Sequence, residues 1–225
     1  MKNKISVIVP AHNEESYLEK TLKSLKENNL PFELIVVCDS CSDSTESIAR
    51  KYSKKVFSVN FENISKTRNF GAEKSTGNIL IFNDADTIVS GNYLSEISNT
   101  MNNYDYGCAK WKSESGNPLG RFIAFNNNRY NKTHKTISGN SFVKKDLFQK
   151  LRGYNERMIK GEDTDLGDRL RKFGSKHIFI DKIFYIPSER KYQKEGYLNL
   201  IFKSQKEGIL YLFNREKYKR KFRAT

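Results

Sequence analysis

Cysteine is scarce in this chain: three among 225 residues, an odd number that leaves no complete pairing. A mid-sized chain with this usage is expected to keep reduced thiols and to work in the cytoplasm. Cys38 and Cys41 form a Cys-x-x-Cys after an apolar run, but only Cys108 and three scattered histidines remain to complete a four-ligand zinc site. A redox motif is disfavoured by the aspartate between the two cysteines and by the lack of thioredoxin context. No apolar run approaches the roughly 18–20 residues that cross a bilayer. No small-residue cleavage site follows Met1-Lys2-Asn3-Lys4, so neither a span nor a signal peptide is expected. Internal repeats and low-complexity segments are absent.

Acidic residues are also in short supply, 26 against 40 lysines and arginines, and the net charge is +14. The excess is uneven: residues 189–225 hold eleven Lys/Arg and four Glu, a net of +7. A basic end suggests an anionic partner, whether membrane lipid, nucleic acid or a phosphorylated substrate, against the plainer reading of a solvated surface. No nucleic-acid-binding motif of the usual kinds is visible, so nucleic acid is the weakest of the three.

What is present is a strand–helix alternation. Ile5–Pro10 and Phe32–Val37 are continuous apolar runs that read as buried strands, followed by a short strand at Val56–Val59 and another at Asn78–Phe82. Helical spacing separates them at Tyr17–Leu25, from Asp43 or Ser44 through Arg50, and at Asn63–Thr76, with Asn13 placed to cap the first. This order predicts an α/β fold with parallel strands and crossover helices. Polar residues then gather at strand carboxyl ends, the position of ligand crevices in such sheets: Asn13, Asp39, and Asp84 with Asp86. Two carboxylates spaced i, i+2 make a hard oxygen site suited to Mg²⁺ or Mn²⁺ shared with substrate phosphates, with a strand-ending turn as the bland alternative.

The second half is less regular. Helices are expected at Tyr93–Asn102, Phe122–Tyr130 and Lys145–Leu151, and strands at Tyr106–Trp111, Ile178–Ile180 and Ile183–Ile186. Gly139 and Asn140 lie in a small-residue stretch that lets a ligand approach the backbone. In Gly161-Glu162-Asp163-Thr164-Asp165, Asp163 or Thr164 is placed to cap a helix closed by Gly174. Leu198, Ile201, Phe202, Ile209, Leu212 and Phe213 share one face of a basic amphipathic extension.

Five segments, in order, resemble the family 2 glycosyltransferases, which have the GT-A (Rossmann-like) fold: Val7 to Glu15, Glu33 to Thr45, Arg68 to Gly77, Asp84-Ala85-Asp86, and Gly161-Glu162-Asp163 with Leu166 and Arg169. The resemblance spans roughly residues 4–190. One departure is Cys38, where the family usually has a first acid before Asp39. The resemblance implies an inverting transfer of a sugar from a nucleotide-diphosphate-sugar, UDP-linked, to an acceptor hydroxyl. It implies nucleotide contacts from Pro10, Ala11, Asn13, Glu14, Asp39 (nucleobase, accepting from an imide N–H), Arg68 (ribose or phosphate), Asp84 and Ala85. Asp86 is then the main ligand of Mn²⁺ or Mg²⁺, with Asp84 bridging ribose and metal; Asp163 is the base, and Glu162 contacts the acceptor. Trp111 would face the donor-side or acceptor pocket unless it is simply buried. Arg190 and Lys191 would reach the pyrophosphate. His177 is a candidate late ligand set against a packed histidine.

These assignments divide the chain into a nucleotide-sugar-binding domain, residues 1–190, and a basic helical extension, residues 191–225. The extension would meet an anionic surface at the inner face of the cell membrane, bringing the enzyme to a lipid-linked acceptor. The competing readings are a nucleotidyltransferase, disfavoured because Ala-His-Asn-Glu-Glu stands where a Gly-rich phosphate loop belongs, and a non-enzymatic nucleic-acid-binding protein.

Overall fold

The computed structural model describes residues 3–214. Its first half alternates as predicted: β1 (Ile5–Ala11), α1 (Leu18–Lys26), β2 (Phe32–Asp39), α2 (Thr45–Tyr52), β3 (Lys55–Val59), α3 (Ile64–Lys74) and β4 (Ile79–Phe82). There follow β5 (Thr87–Val89), α4 (Tyr93–Thr100), β6 (Tyr106–Trp111), α5 (Pro118–His134), β7 (Ser141–Lys144) and α6 (Lys145–Lys150). The described chain ends with α7 (Glu162–Lys172), β8 (His177–Pro187), α8 (Arg190–Glu195) and α9 (Tyr197–Phe213). The strands form one sheet in the order β3-β2-β1-β4-β7-β6-β8-β5. β3, β2, β1 and β4 are parallel; β7 joins β4 and β6 antiparallel, β6 and β8 are parallel, and β5 closes the edge antiparallel to β8.

The continuous apolar runs are explained by burial on both faces. Along β1, Ile5, Val7 and Val9 enter one core layer and Ile8 the other; on β2, Leu34 and Val36 oppose Ile35 and Val37 in the same way. Leu18, Leu22 and Leu25 of α1 fill the first layer, and Ala72 of α3, Phe148 of α6 and Leu166 and Leu170 of α7 fill the second. Each such side chain contributes about 1.5–3 kcal/mol on burial. Gly71 permits the close seating of α3, since a Cβ there would lie 2.4 Å from Cγ2 of Ile8.

Several local expectations change. Asn13 does not cap α1: it adopts a left-handed conformation (φ 50°), and its Oδ1 accepts from the Ser42 amide at 2.8 Å. At α2 it is the Asp43 carboxylate that accepts from the Thr45 amide, at 2.9 Å. α7 begins two or three residues earlier than the capping pattern implied, with Gly161 as its cap and Glu162 and Asp163 inside the first turn. α5 runs 17 residues from Asn117, whose Oδ1 accepts from the Gly120 amide at 2.7 Å. The two strands expected after residue 177 are one, irregular in register opposite Ala109 and Lys110. β5 is too short to leave a period-2 signature. The expected helical extension is present as α8 and α9; the side chains of Ile209 and Leu212, and residues 215–225, lie outside the described residues. Among the described residues no helix is long and apolar enough to cross a membrane.

Candidate active site

The carboxyl ends of β1, β2 and β4 and the loop leading into α3 enclose a cleft of 650 Å³. Pro10, Ala11, Glu14, Asp39, Arg68, Asp84, Ala85 and Asp86 all line it. So do His12, Glu62, Asn63, Ile64 and Thr67, which sequence reading did not select. Their one signal was position: the loop after β3 opens on the same sheet edge as the three that carry aspartates.

Asp39 organises that loop. Its Oδ1 accepts from the amides of Phe61 (2.7 Å) and Glu62 (2.9 Å) and from the Ser40 hydroxyl (3.1 Å). Its Oδ2 accepts from the Asn63 amide (3.2 Å) and the Thr67 hydroxyl (2.7 Å). Burial alone would raise this carboxyl; the donors outweigh it and hold the group below its ordinary range. Four of these donors are committed to Asp39, since the Ser40 hydroxyl lies nearer Asn60 Oδ1 at 2.6 Å, and they form a clasp that shapes one wall of the cleft. Asp39 itself lines the cleft, where the imide contact expected of it would be made.

Arg68 is 3% exposed; its two Nη atoms bind protein carboxylates, and its buried Nε has no hydrogen-bond partner. Nη2 donates to Asp84 Oδ1 at 2.8 Å, and Nη1 to Glu162 Oε1 at 2.8 Å and Asp163 Oδ1 at 3.3 Å. The Tyr154 ring lies 5.2 Å from Cζ. The guanidinium expected to contact ribose or phosphate lines the cleft and also bridges the β4 turn and the start of α7. Removing two charges from water is repaid only when geometry is good and all partners are present. Here one arginine serves three acids.

The Asp84–Asp86 turn is built from below. Asn83, fully buried, donates to the carbonyls of Asp84 (3.0 Å) and Thr87 (3.1 Å) and accepts from Asn140 Nδ2 at 2.6 Å. Asn140 is itself buried, so it supports the turn and does not face a sugar. At Gly139 the close neighbour is not a ligand: a Cβ there would meet Asp84 Oδ2 at 2.2 Å. Asp86 is pushed up to about 6, by burial first and then by the like charges of Asp84 and Glu14, with Arg190 opposing. Arg190 donates to Glu14 through both Nη atoms and lies 3.4 Å from Asp86 Oδ2, its Cζ 4.7 Å from the Tyr17 ring.

Two hard carboxylates with raised negative potential fit a divalent cation. Among the described residues no group of three or more such ligands gathers.

Glu162 and Asp163 open α7, where the helix N-terminus favours negative charge. Asp163 is nevertheless pushed up to about 7, by burial first; Arg68 pulls the other way, and Glu162 and Asp84 add to the rise.

Other expected site residues lie elsewhere. Asn13 turns to Ser42, Lys191 is exposed and outside the cleft lining, and Trp111 is buried in the core. His177 packs on Tyr106 with Nε2 3.1 Å from the Thr136 carbonyl, and burial pushes it down to about 4, so it is the packed histidine and not a ligand. The cysteines are free, and burial raises the Cys38 thiol to about 12, which leaves it a poor nucleophile.

Sheet order and cleft together define a GT-A-type α/β protein. Residues 1–349 of S. aureus TarS in complex with UDP-GlcNAc share the fold with a TM-score of 0.69 at 21% identity, over 83% of this chain and 59% of that one. The mannosyltransferase PcManGT from Pyrobaculum calidifontis, in complex with GDP-Man and Mn²⁺, gives 0.67 at 18% identity, over 83% and 57%. The sequence profile of the family described as glycosyl transferase family 2 matches residues 6–152, and the chain belongs to that family. A 4,4'-diaponeurosporenoate glycosyltransferase of Staphylococcus haemolyticus is 39% identical over 99 residues, 41% of this chain and 26% of that protein. The chain thus spans about a quarter of the length of that curated relative.

Proposed function

We propose that this chain transfers a sugar from a nucleotide-diphosphate-sugar, UDP-linked, to an acceptor hydroxyl, with inversion at the anomeric carbon. The observation that carries this reading is the Arg68 bridge. It ties Asp84, which lines the cleft, to Glu162 and Asp163, which are not among the lining residues but lie one guanidinium away, and this supports a base next to the donor site. The UDP-GlcNAc bound to TarS supports the donor class, and we place the acceptor in cell-surface polysaccharide or glycolipid synthesis.

In this mechanism the acceptor oxygen bonds to the anomeric carbon opposite the diphosphate as the bond to the diphosphate oxygen breaks. Asp163 takes the hydroxyl proton and Glu162 holds the acceptor, while the electron pair leaves with the nucleoside diphosphate. A base whose pKa lies near the working pH is the effective one. Asp86 and Asp84 would hold Mn²⁺ or Mg²⁺, which supplies Lewis-acid stabilisation of the leaving charge. Arg190 stands at the same rim as a further cation for the diphosphate.

We place the catalytic unit in residues 1–190 and the basic extension in 191–225, working at the inner face of the cell membrane. A screen of nucleotide-sugars with Mn²⁺ tests the activity. Release of nucleoside diphosphate supports it. Pyrophosphate release reassigns the chain to nucleotidyl transfer, and no turnover with steeply salt-dependent nucleic-acid binding reassigns it to a binding protein.

A further inference from the structure

α5 is built inside out. It buries Gly120, Ala124 and Asn131, and turns Leu119 (39% exposed), Phe122 (50%) and Phe125 (61%) to solvent. At 100° per residue these three share the face opposite the buried one. Surface helices normally do the reverse, hiding the large apolar side chains. α9 packs against α5 and exposes two more, Leu198 (59%) and Phe202 (62%).

The charge on these two helices is predominantly basic, although Lys132 pairs with Asp181 at 3.2 Å and Lys203 with Glu195 at 3.8 Å. The 17 residues of α5 contain Arg121, Arg129 and Lys132 and no acid, and Arg121 and Arg129 are exposed. On α9 the exposed Lys203 and Lys206 follow Phe202. Protein interfaces are depleted of lysine at their centres. Protruding aromatic and aliphatic side chains among Lys and Arg are instead what a helix lying in an anionic lipid headgroup layer presents. Neither helix is long and apolar enough to span the bilayer, so the geometry is of lying on the surface.

We propose that α5 and α9 together form a docking face for an anionic bilayer, with Phe122, Phe125 and Phe202 entering the interface. One short stretch joins this face to the cleft. The Ser188 amide donates to the Asp86 carbonyl at 3.0 Å, and Arg190 holds Glu14 and Asp86. Between them Glu189, 1% exposed, accepts from Ser113 Oγ (2.6 Å) ahead of α5 and Tyr197 Oη (2.8 Å) at the start of α9. The docked face therefore holds the rim of the cleft at the bilayer, where a lipid-linked acceptor is presented. This deepens the acceptor reading above; docking itself is measured without any transfer.

The test is co-sedimentation of the full chain with vesicles of phosphatidylglycerol and phosphatidylcholine, and with phosphatidylcholine alone. The expected result is association with the anionic vesicles only, weakened roughly tenfold or more by Phe122→Ser with Phe125→Ser. Phe122→Leu with Phe125→Leu should restore it. Both side chains are exposed, so far-UV circular dichroism and nucleotide-sugar hydrolysis should not change. Three results overturn the proposal. They are no vesicle association, association unaffected by the serine pair but lost on deleting residues 215–225, and a dimer in light scattering that the serine pair dissociates. Failure of hydrolysis with docking intact would count against the sugar-transfer reading alone.

Discussion

Among single residues Asp163 carries the sharpest expectations. Asp163→Asn should lower kcat by about 10²–10⁴-fold, the usual contribution of a positioned base, with UDP affinity unchanged by calorimetry; loss of UDP binding would move the residue to the donor side. Because its pKa is raised to about 7, activity should climb as pH rises through that value. The stability sign is the opposite. The folded state holds the proton more tightly than the unfolded chain, so the wild type should lose ground to Asp163→Asn in thermal melts as pH rises from 5 to 8. Arg68 is a positioning residue. Arg68→Met strands three carboxylates and should cost about 3–5 kcal/mol in denaturant unfolding, with part recovered by adding Glu162→Gln. For Asp86→Ala, Mn²⁺-dependent tightening of the donor should vanish in calorimetry, and unchanged affinity would remove the residue from the metal role.

At the scale of elements, the Asp84–Asp86 turn depends on β7 beside it. Asn140→Ala leaves the Asn83 carbonyl oxygen without its buried donor and should cost about 1–3 kcal/mol, together with a raised KM for the donor. Gly139→Ala should shift the Asp84 carboxylate, weakening donor binding more than it weakens the fold. The sequence disclosed the strands of the parallel half because burial on both faces leaves continuous apolar runs. It disclosed the cleft because Asp39, Asp84 and Asp86 end such strands. It hid what the acids do to each other. Nothing in the spacing of Asp39 reveals four internal donors, and nothing in Arg68 reveals that two of its partners lie in α7, 94 and 95 positions away. Gly139 and Asn140 read as ligand-facing because a small-residue stretch looks the same whether a substrate or a neighbouring turn comes close. The start of α5 is hidden for a related reason: its large apolar residues face outward, so the usual inward stripe begins late.

Across the whole molecule, chain order and spatial order diverge at one place. β7 inserts antiparallel beside β4, and β5 closes the far edge against β8. Alternation in sequence does not foretell that reversal, which requires knowing where residues 141–144 pair. The same divergence assembles the cleft from both ends of the chain: Glu14 comes from the first turn after β1, and Arg190 meets it from 176 positions on. A chain made on the ribosome thus completes its parallel half, with Asp39, Asp84 and Asp86 in place, long before α7 and Arg190 exist. Domains fold as units, so a nascent fragment ending near residue 150 holds the crevice residues but lacks the α7 carboxylates that pair with Arg68. In the proposed mechanism, transfer waits until α7 has supplied Asp163.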